Sequence, residues 1–253
     1  MMRIWIRRLL RGLGWELQRY KNSYGEARVL ADLLQFTRAD VVLDVGANLG
    51  QFGDHLLSLG YQGKLVSFEA IPTVHGRLQQ HARNRSASWI VAPCAALGSG
   101  PGSIDMNISA NVLSSSVLPM REAHVSAAPA SKYVDRQTVA LARLDELARP
   151  LVPRSARLLI KIDTQGYELE VLKGATDLLP QTAGLQVELS LAPLYEGAPT
   201  FMEMMQYLQA AGFEPFGMVP VFRDGRTGRL LQVDGFFTRI GSGSAVEIPC
   251  LSS

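Results

Sequence analysis

Three carboxylates in this sequence each close a short apolar run. Asp44 stands in Val42-Leu43-Asp44-Val45-Gly46-Ala47-Asn48-Leu49-Gly50, Glu69 in Ser67-Phe68-Glu69-Ala70, and Asp163 in Lys161-Ile162-Asp163-Thr164-Gln165-Gly166. An apolar run that ends in an acid, turns through glycines and enters a helical stretch is a strand-to-helix connection. Glycine lets backbone approach a ligand without a Cβ in the way. The helix start offers free N–H groups. In an open α/β sheet the crevice beyond the strands' carboxyl ends is where ligands bind, so three acids at three strand ends point to one shared crevice.

The spacing decides between ligands. A dinucleotide turn needs G-x-G-x-x-G; here Asn48 stands at the third position and Gln51 at the sixth, which disfavours a dehydrogenase. A phosphate loop needs Gly-Lys-Ser/Thr at its end, and none follows. Asp44 would repel phosphate but can attract an ammonium group, directly or through water. S-adenosylmethionine carries an ammonium and a sulfonium. Glu69, about 20 residues after the glycine turn, can accept two ribose hydroxyl hydrogen bonds. The plainer alternatives are an ordinary turn and a helix-capping acid. Asp163 precedes a second glycine turn, while Glu168 and Glu170 sit in a first helical turn, where the dipole favours acids; those two are read as structural.

The elements around these residues alternate. Apolar runs at 41–45, 64–69, 89–92, 158–162 and 185–188 are separated by helical stretches at 52–59, 74–83, 168–179 and 201–211. That pattern predicts a parallel sheet covered on both faces. Runs at 213–219 and 233–238 follow with only a turn-rich connection between them, Asp224-Gly225-Arg226-Thr227-Gly228, so the sheet should end in an antiparallel pair. Residues 98–137 read as a long loop with little helix signal, functional or disordered.

Taken together, the glycine-turn block, Phe68-Glu69, Ala96-Leu97-Gly98, the run from Asp163 to Ala175 and the ending Val233-Asp234-Gly235-Phe236-Phe237 resemble the FkbM family of methyltransferases over residues 40–239. The resemblance implies a Rossmann-like, seven-stranded, mostly parallel sheet with an antiparallel last strand. It also implies S-adenosyl-L-methionine as donor and, usually, oxygen methylation of sugars or natural products. The family pattern often has Glu where this chain has Gln165, so no carboxylate role carries over there. The cofactor side of the site is then Asp44, Gly46, Asn48, Gly50, Glu69 and Ala96, with Asp163 bordering it. A hydroxyl nucleophile gains from losing its proton to a base. Asp163 is the first candidate and Glu188, late in the next strand, the second; alternatively the two could hold a divalent cation. The same fold could also bind the cofactor without turnover.

Composition frames these expectations. With 47% hydrophobic and 19% charged residues, the 253-residue chain can bury a large core, and a net charge of +2 gives no case for nucleic acid. The expected partner is a small-molecule or glycan acceptor. Two cysteines, Cys94 and Cys250, suit a reducing, cytoplasmic setting. In residues 1–21, six basic residues against Glu16 give +5, leaving −3 for the rest. There Trp5, Ile6, Leu9, Leu10, Leu13, Leu17 and Tyr20 share one helical arc, with Ile4 and Trp15 as exceptions on the polar side. Such a basic amphipathic helix packs on its own domain or lies on an anionic membrane face. The expected layout is a helical extension (1–36), a catalytic domain (37–240) and a flexible tail (241–253). His55, His75 and His81 are expected at the surface, and His124, in the long loop, is a minor candidate base.

Overall fold

A computed structural model describes residues 25–241, so the amphipathic segment at 1–21 and nearly all of the C-terminal tail lie outside the described residues. The chain runs α1 (Glu26–Thr37), β1 (Val41–Val45), α2 (Gln51–Ser58), β2 (Lys64–Phe68), α3 (Pro72–Arg85), β3 (Trp89–Val91), β4 (Ala96–Leu97) and β5 (Gly102–Ser109). It continues with α4 (Glu122–Ala127), β6 (Tyr133–Ala142), α5 (Leu144–Ala148), β7 (Leu158–Ile162), α6 (Glu168–Lys173), β8 (Thr182–Ser190), α7 (Phe201–Ala210), β9 (Phe213–Arg223) and β10 (Leu230–Arg239).

Seven strands form one sheet in the order β3-β2-β1-β7-β8-β10-β9. All pairs are parallel except those of β10, which runs antiparallel to both β8 and β9. The order reverses between β1 and β7, so a crevice opens at the carboxyl ends of these strands. The fold is the expected Rossmann-like one, and the antiparallel pair falls where the turn chemistry put it. No helix among the described residues is long and apolar enough to cross a membrane.

Alternation along the strands divides the core into two layers. Leu43, Ile160, Leu185 and Leu189 point to the face covered by α6 and α7, where Val171, Leu172, Met204 and Leu208 meet them. Val42, Leu65, Leu159 and Phe236 point to the other face, against α1, α2 and α3. There α1 contributes Val29, Leu30 and Leu33, all buried. The packed body therefore includes this helix.

Two expectations are corrected. Residues 98–137 are not one long loop. The segment contributes β5 and the first half of β6 to a second, three-stranded sheet in the order β4-β6-β5, with α4 between β5 and β6. The strand signal was there in the alternation Ile104, Met106, Ile108, masked by the Ser-rich and Ala-rich stretches around it. His75 is not a surface residue: it is buried on α3, and its Nε2 lies 2.8 Å from the carbonyl oxygen of Ala92.

Candidate active site

Strand register sets the site. Ser67, Asp44, Lys161 and Gln186 stand side by side across β2, β1, β7 and β8, all on the α1–α3 face. Two residues further toward the carboxyl ends the chain places Glu69, Gly46, Asp163 and Glu188. Asp234 of β10 pairs directly with Glu188. The face thus grades from apolar (Leu65, Val42, Leu159) through one polar row to a row of four acids interrupted by a glycine. Above this row lies a cavity of about 460 Å³, within the range of small-molecule sites.

Glu69 is 6% exposed. Its Oε1 accepts from the Ile71 N–H at 2.8 Å and its Oε2 from the Asn48 N–H at 2.9 Å. Burial pushes its carboxyl up, and these backbone donors pull it back. Glu69 lines the cavity, and a carboxylate oxygen can accept more than one hydrogen bond. Asn48 reaches Glu69 because it adopts a left-handed backbone, φ +48°. Ile71, Ala95, Ala96 and Leu97 add an apolar wall beyond Glu69.

Gly46 lines the cavity with φ +77°, and a Cβ there would stand 1.9 Å from the Asp163 carbonyl oxygen. Its first requirement is thus the close approach of the β1 turn to the end of β7. Gly50 does not line the cavity. It opens α2 at φ +95°, and a Cβ would meet Trp89 and Leu78.

Asp44 is fully buried below the cavity and does not line it. Its Oδ2 accepts from Ser67 Oγ at 3.1 Å, and its Oδ1 lies 3.4 Å from Lys161 Nζ. Lys161, 8% exposed, lines the cavity and also stands 3.6 Å from Asp163 Oδ2. Burial alone would lower its pKa, but Asp44, Asp163 and Asp234 outweigh it and hold the ammonium protonated. Burial raises Asp44, and Lys161 opposes that. Asp44 therefore anchors a lysine, and Asp163 receives its charge.

Gln165 draws the two candidate bases together. Its Nε2 donates to Asp163 Oδ1 and to Glu188 Oε2, both at 2.8 Å. Its Oε1 accepts from the hydroxyl of buried Tyr195 at 2.5 Å. A second amide, Gln232 Nε2, donates to Glu188 Oε2 at 2.7 Å. Burial and the charges of Asp163, Glu168 and Asp234 raise the Glu188 carboxyl well above the ordinary range. Glu168 is structural, as expected: its Oε1 accepts from the Thr164 and Gly166 N–H groups and shapes the turn after Asp163. His124 does not line the cavity; it packs edge-on behind Tyr195, and burial pushes its pKa down to about 4.

The site thus brings together Glu69, Gly46, Asn48, Ala96, Asp163 and Glu188 and leaves Asp44 and Gly50 behind its wall. Sequence reasoning missed Lys161, Gln186 and Asp234. Only the i, i+2 spacing of Lys161 with Asp163 hinted at one of them. Among the described residues, no group of three or more His, Cys, Asp or Glu side chains is disposed to hold a metal ion.

A Rossmann-like sheet whose acids line one crevice beside a glycine turn matches a known family. The model of the FkbM methyltransferase domain matches residues 44–215, and the chain belongs to that family. Methyltransferase sdnD of Sordaria araneosa is 26% identical over 166 residues, covering 58% of this chain and 64% of its own. Hexuronic acid methyltransferase AglP of Haloferax volcanii is 27% identical over 178 residues, covering 69% and 66%. The chain thus matches just under two thirds of each relative's length. A solved putative S-adenosylmethionine-dependent methyltransferase from Listeria monocytogenes is similar at a TM-score of 0.46 and 9% identity, covering 83% of this chain and 97% of that one.

Proposed function

We propose that this chain is an S-adenosylmethionine-dependent methyltransferase acting on a hydroxyl oxygen of a sugar or natural-product acceptor. One observation carries the reading: Glu69 and Asp163 flank the Gly46 turn in a single cavity of about 460 Å³. Family membership supports it, as does the hexuronic acid in the name of the Haloferax relative. When bound, the cofactor supplies an electrophilic methyl group on a sulfonium.

The chain's residues do the rest. Glu69 would accept the ribose hydroxyls, and the wall of Ile71, Ala95 and Ala96 would hold the adenine. Asp163, 3.6 Å from Lys161 Nζ and oriented by Gln165, is the general base that takes the acceptor hydroxyl's proton. Glu188, whose carboxyl burial raises above the ordinary range, lines the same cavity and is held by the amides of Gln165 and Gln232. Transfer from a sulfonium is an in-line displacement, so alignment supplies much of the rate.

Asp163→Asn tests the assignment. It keeps the size and removes the charge. Turnover should fall by roughly 10²–10⁴-fold, the usual contribution of a general base, with S-adenosylhomocysteine affinity close to wild type. Full activity would transfer the role to Glu188. Affinity lost in step with turnover would assign Asp163 to the donor's ammonium instead.

A further inference from the structure

Among the described residues, the end of the cavity bounded by α1, β8 and β10 holds more acids than bases. Among the described residues that line the cavity, the carboxylates are Glu26, Glu69, Asp163, Glu188 and Asp234, against one lysine, Lys161. That lysine is already committed to Asp44 and Asp163, at 3.4 and 3.6 Å. The remaining acids are bridged by amides. Gln186 Nε2 donates to Asp234 Oδ2 at 3.1 Å and to Glu26 Oε1 at 3.4 Å. Gln165 and Gln232 donate to Glu188. An amide satisfies a carboxylate's hydrogen bonding without cancelling its charge. Among the described residues that line the cavity, the other base is His55, whose Nδ1 lies 3.9 Å from Glu26 Oε1.

A second observation is independent of the acids. Gln186 is 2% exposed, forms part of the cavity wall, and its Oε1 has no hydrogen-bond partner among the described residues. The amide cannot be turned round, because its oxygen would then face two carboxylates. The groups still open for bonding here are therefore acceptors: Gln186 Oε1 and the free oxygens of Asp234, Glu188 and Glu26. A ligand group that fits them must donate.

We infer that Gln186, Asp234, Glu188 and Glu26 form a subsite for a protonated amine carried by the methyl acceptor. The inference rests on the methyltransferase reading above and narrows its substrate class to amino sugars or comparable amines. An ammonium has three donors and no acceptor, and its bonds to carboxylates are charge-assisted. A hexuronic acid would bring a further carboxylate among acceptors of like charge. Asp234, raised to about 7 by burial and by Asp163 and Glu26, gives up its proton to solvent when the ammonium binds.

The test is calorimetry on the full chain. Binding of S-adenosylhomocysteine to wild type is measured first; its absence would sink the methyltransferase reading itself. On the saturated protein, methyl glucosides bearing an amine at carbon 2, 3 or 6 are compared with methyl glucoside and methyl glucuronide. At least one amine should bind about tenfold tighter than the neutral glycoside, as expected of a charge-assisted bond, and the glucuronide should bind most weakly. Asp234→Asn and Glu26→Gln should each erase the preference while leaving the protein folded and its S-adenosylhomocysteine affinity in place. A glucuronide that binds as well as the amines, or amines no better than the neutral glycoside, would overturn the inference. So would loss of S-adenosylhomocysteine binding in a folded Asp234→Asn protein, since the ammonium served would then be the donor's own.

Discussion

Glu69→Ala removes the carboxylate assigned to the ribose, and its size of effect follows from the geometry. Each oxygen of Glu69 already holds one backbone N–H, at 2.8 and 2.9 Å, which leaves one lone pair on each for a ribose hydroxyl. Two bonds are the maximum. A hydrogen bond to a charged group contributes about 1.5–3 kcal/mol. Loss of one weak bond sets the floor at about 1.5 kcal/mol, roughly tenfold in Kd, and loss of two sets about 3 kcal/mol or more. At 6% exposure, water replaces little of this. The substitution also frees the N–H groups of Asn48 and Ile71, so a lower affinity alone does not isolate the ribose. A thermodynamic cycle does. Wild type and Glu69→Ala are titrated with adenosine and with its 2′-deoxy and 3′-deoxy forms. Wild type should lose at least tenfold on removal of a hydroxyl, and the variant should lose little more. If Glu69→Ala discriminates the deoxy compounds as strongly as wild type, Glu69 does not hold the ribose.

Further outcomes follow from the same geometry. Gly46→Ala places a methyl 1.9 Å from the Asp163 carbonyl in a left-handed backbone, so denaturant unfolding should report a loss above about 2 kcal/mol; an unchanged midpoint would refute the close-approach argument. Glu168 titrates at about 7 in the folded chain because it is buried, against 4.5 ordinarily. A raised folded pKa means the native state binds the proton more tightly. Stability should then fall as pH rises from about 4.5 through 7, by about 3 kcal/mol for this group. Asp234, raised to about 7 by burial and by Asp163, adds a slope of the same sign. Unfolding measured across that range should show a clearly shallower decline in Glu168→Gln; an identical slope would mean Glu168 is not its source.

The legible parts of this protein were those that local physics dictates. Strands buried on both faces read as continuous apolar runs, which gave β1, β2, β7 and β8. The glycine-rich turn fixed the start of α2, and the Asp-Gly-rich connection fixed the antiparallel pair. Glu69 and Asp163 could be placed because a carboxylate at a strand end, next to a turn, has a predictable position relative to the crevice. The small sheet of β4, β5 and β6 was hidden because its strands are half exposed and lie among small residues, which weakens the period-2 signal. Asp44 shows the limit at single residues. Its place in the motif suggested ligand contact, but Asp44 lies buried below the cavity, and the register of β1 with β7 puts Lys161, which does line it, beside it. Asp234 and Gln186 lie 48 positions apart. They meet because β10 inserts antiparallel between β8 and β9, a pairing that no local pattern encodes. Sequence determined which strands end in acids. Only the lateral order and register of the strands decided which of those acids share a cavity and which amide or lysine stands between them.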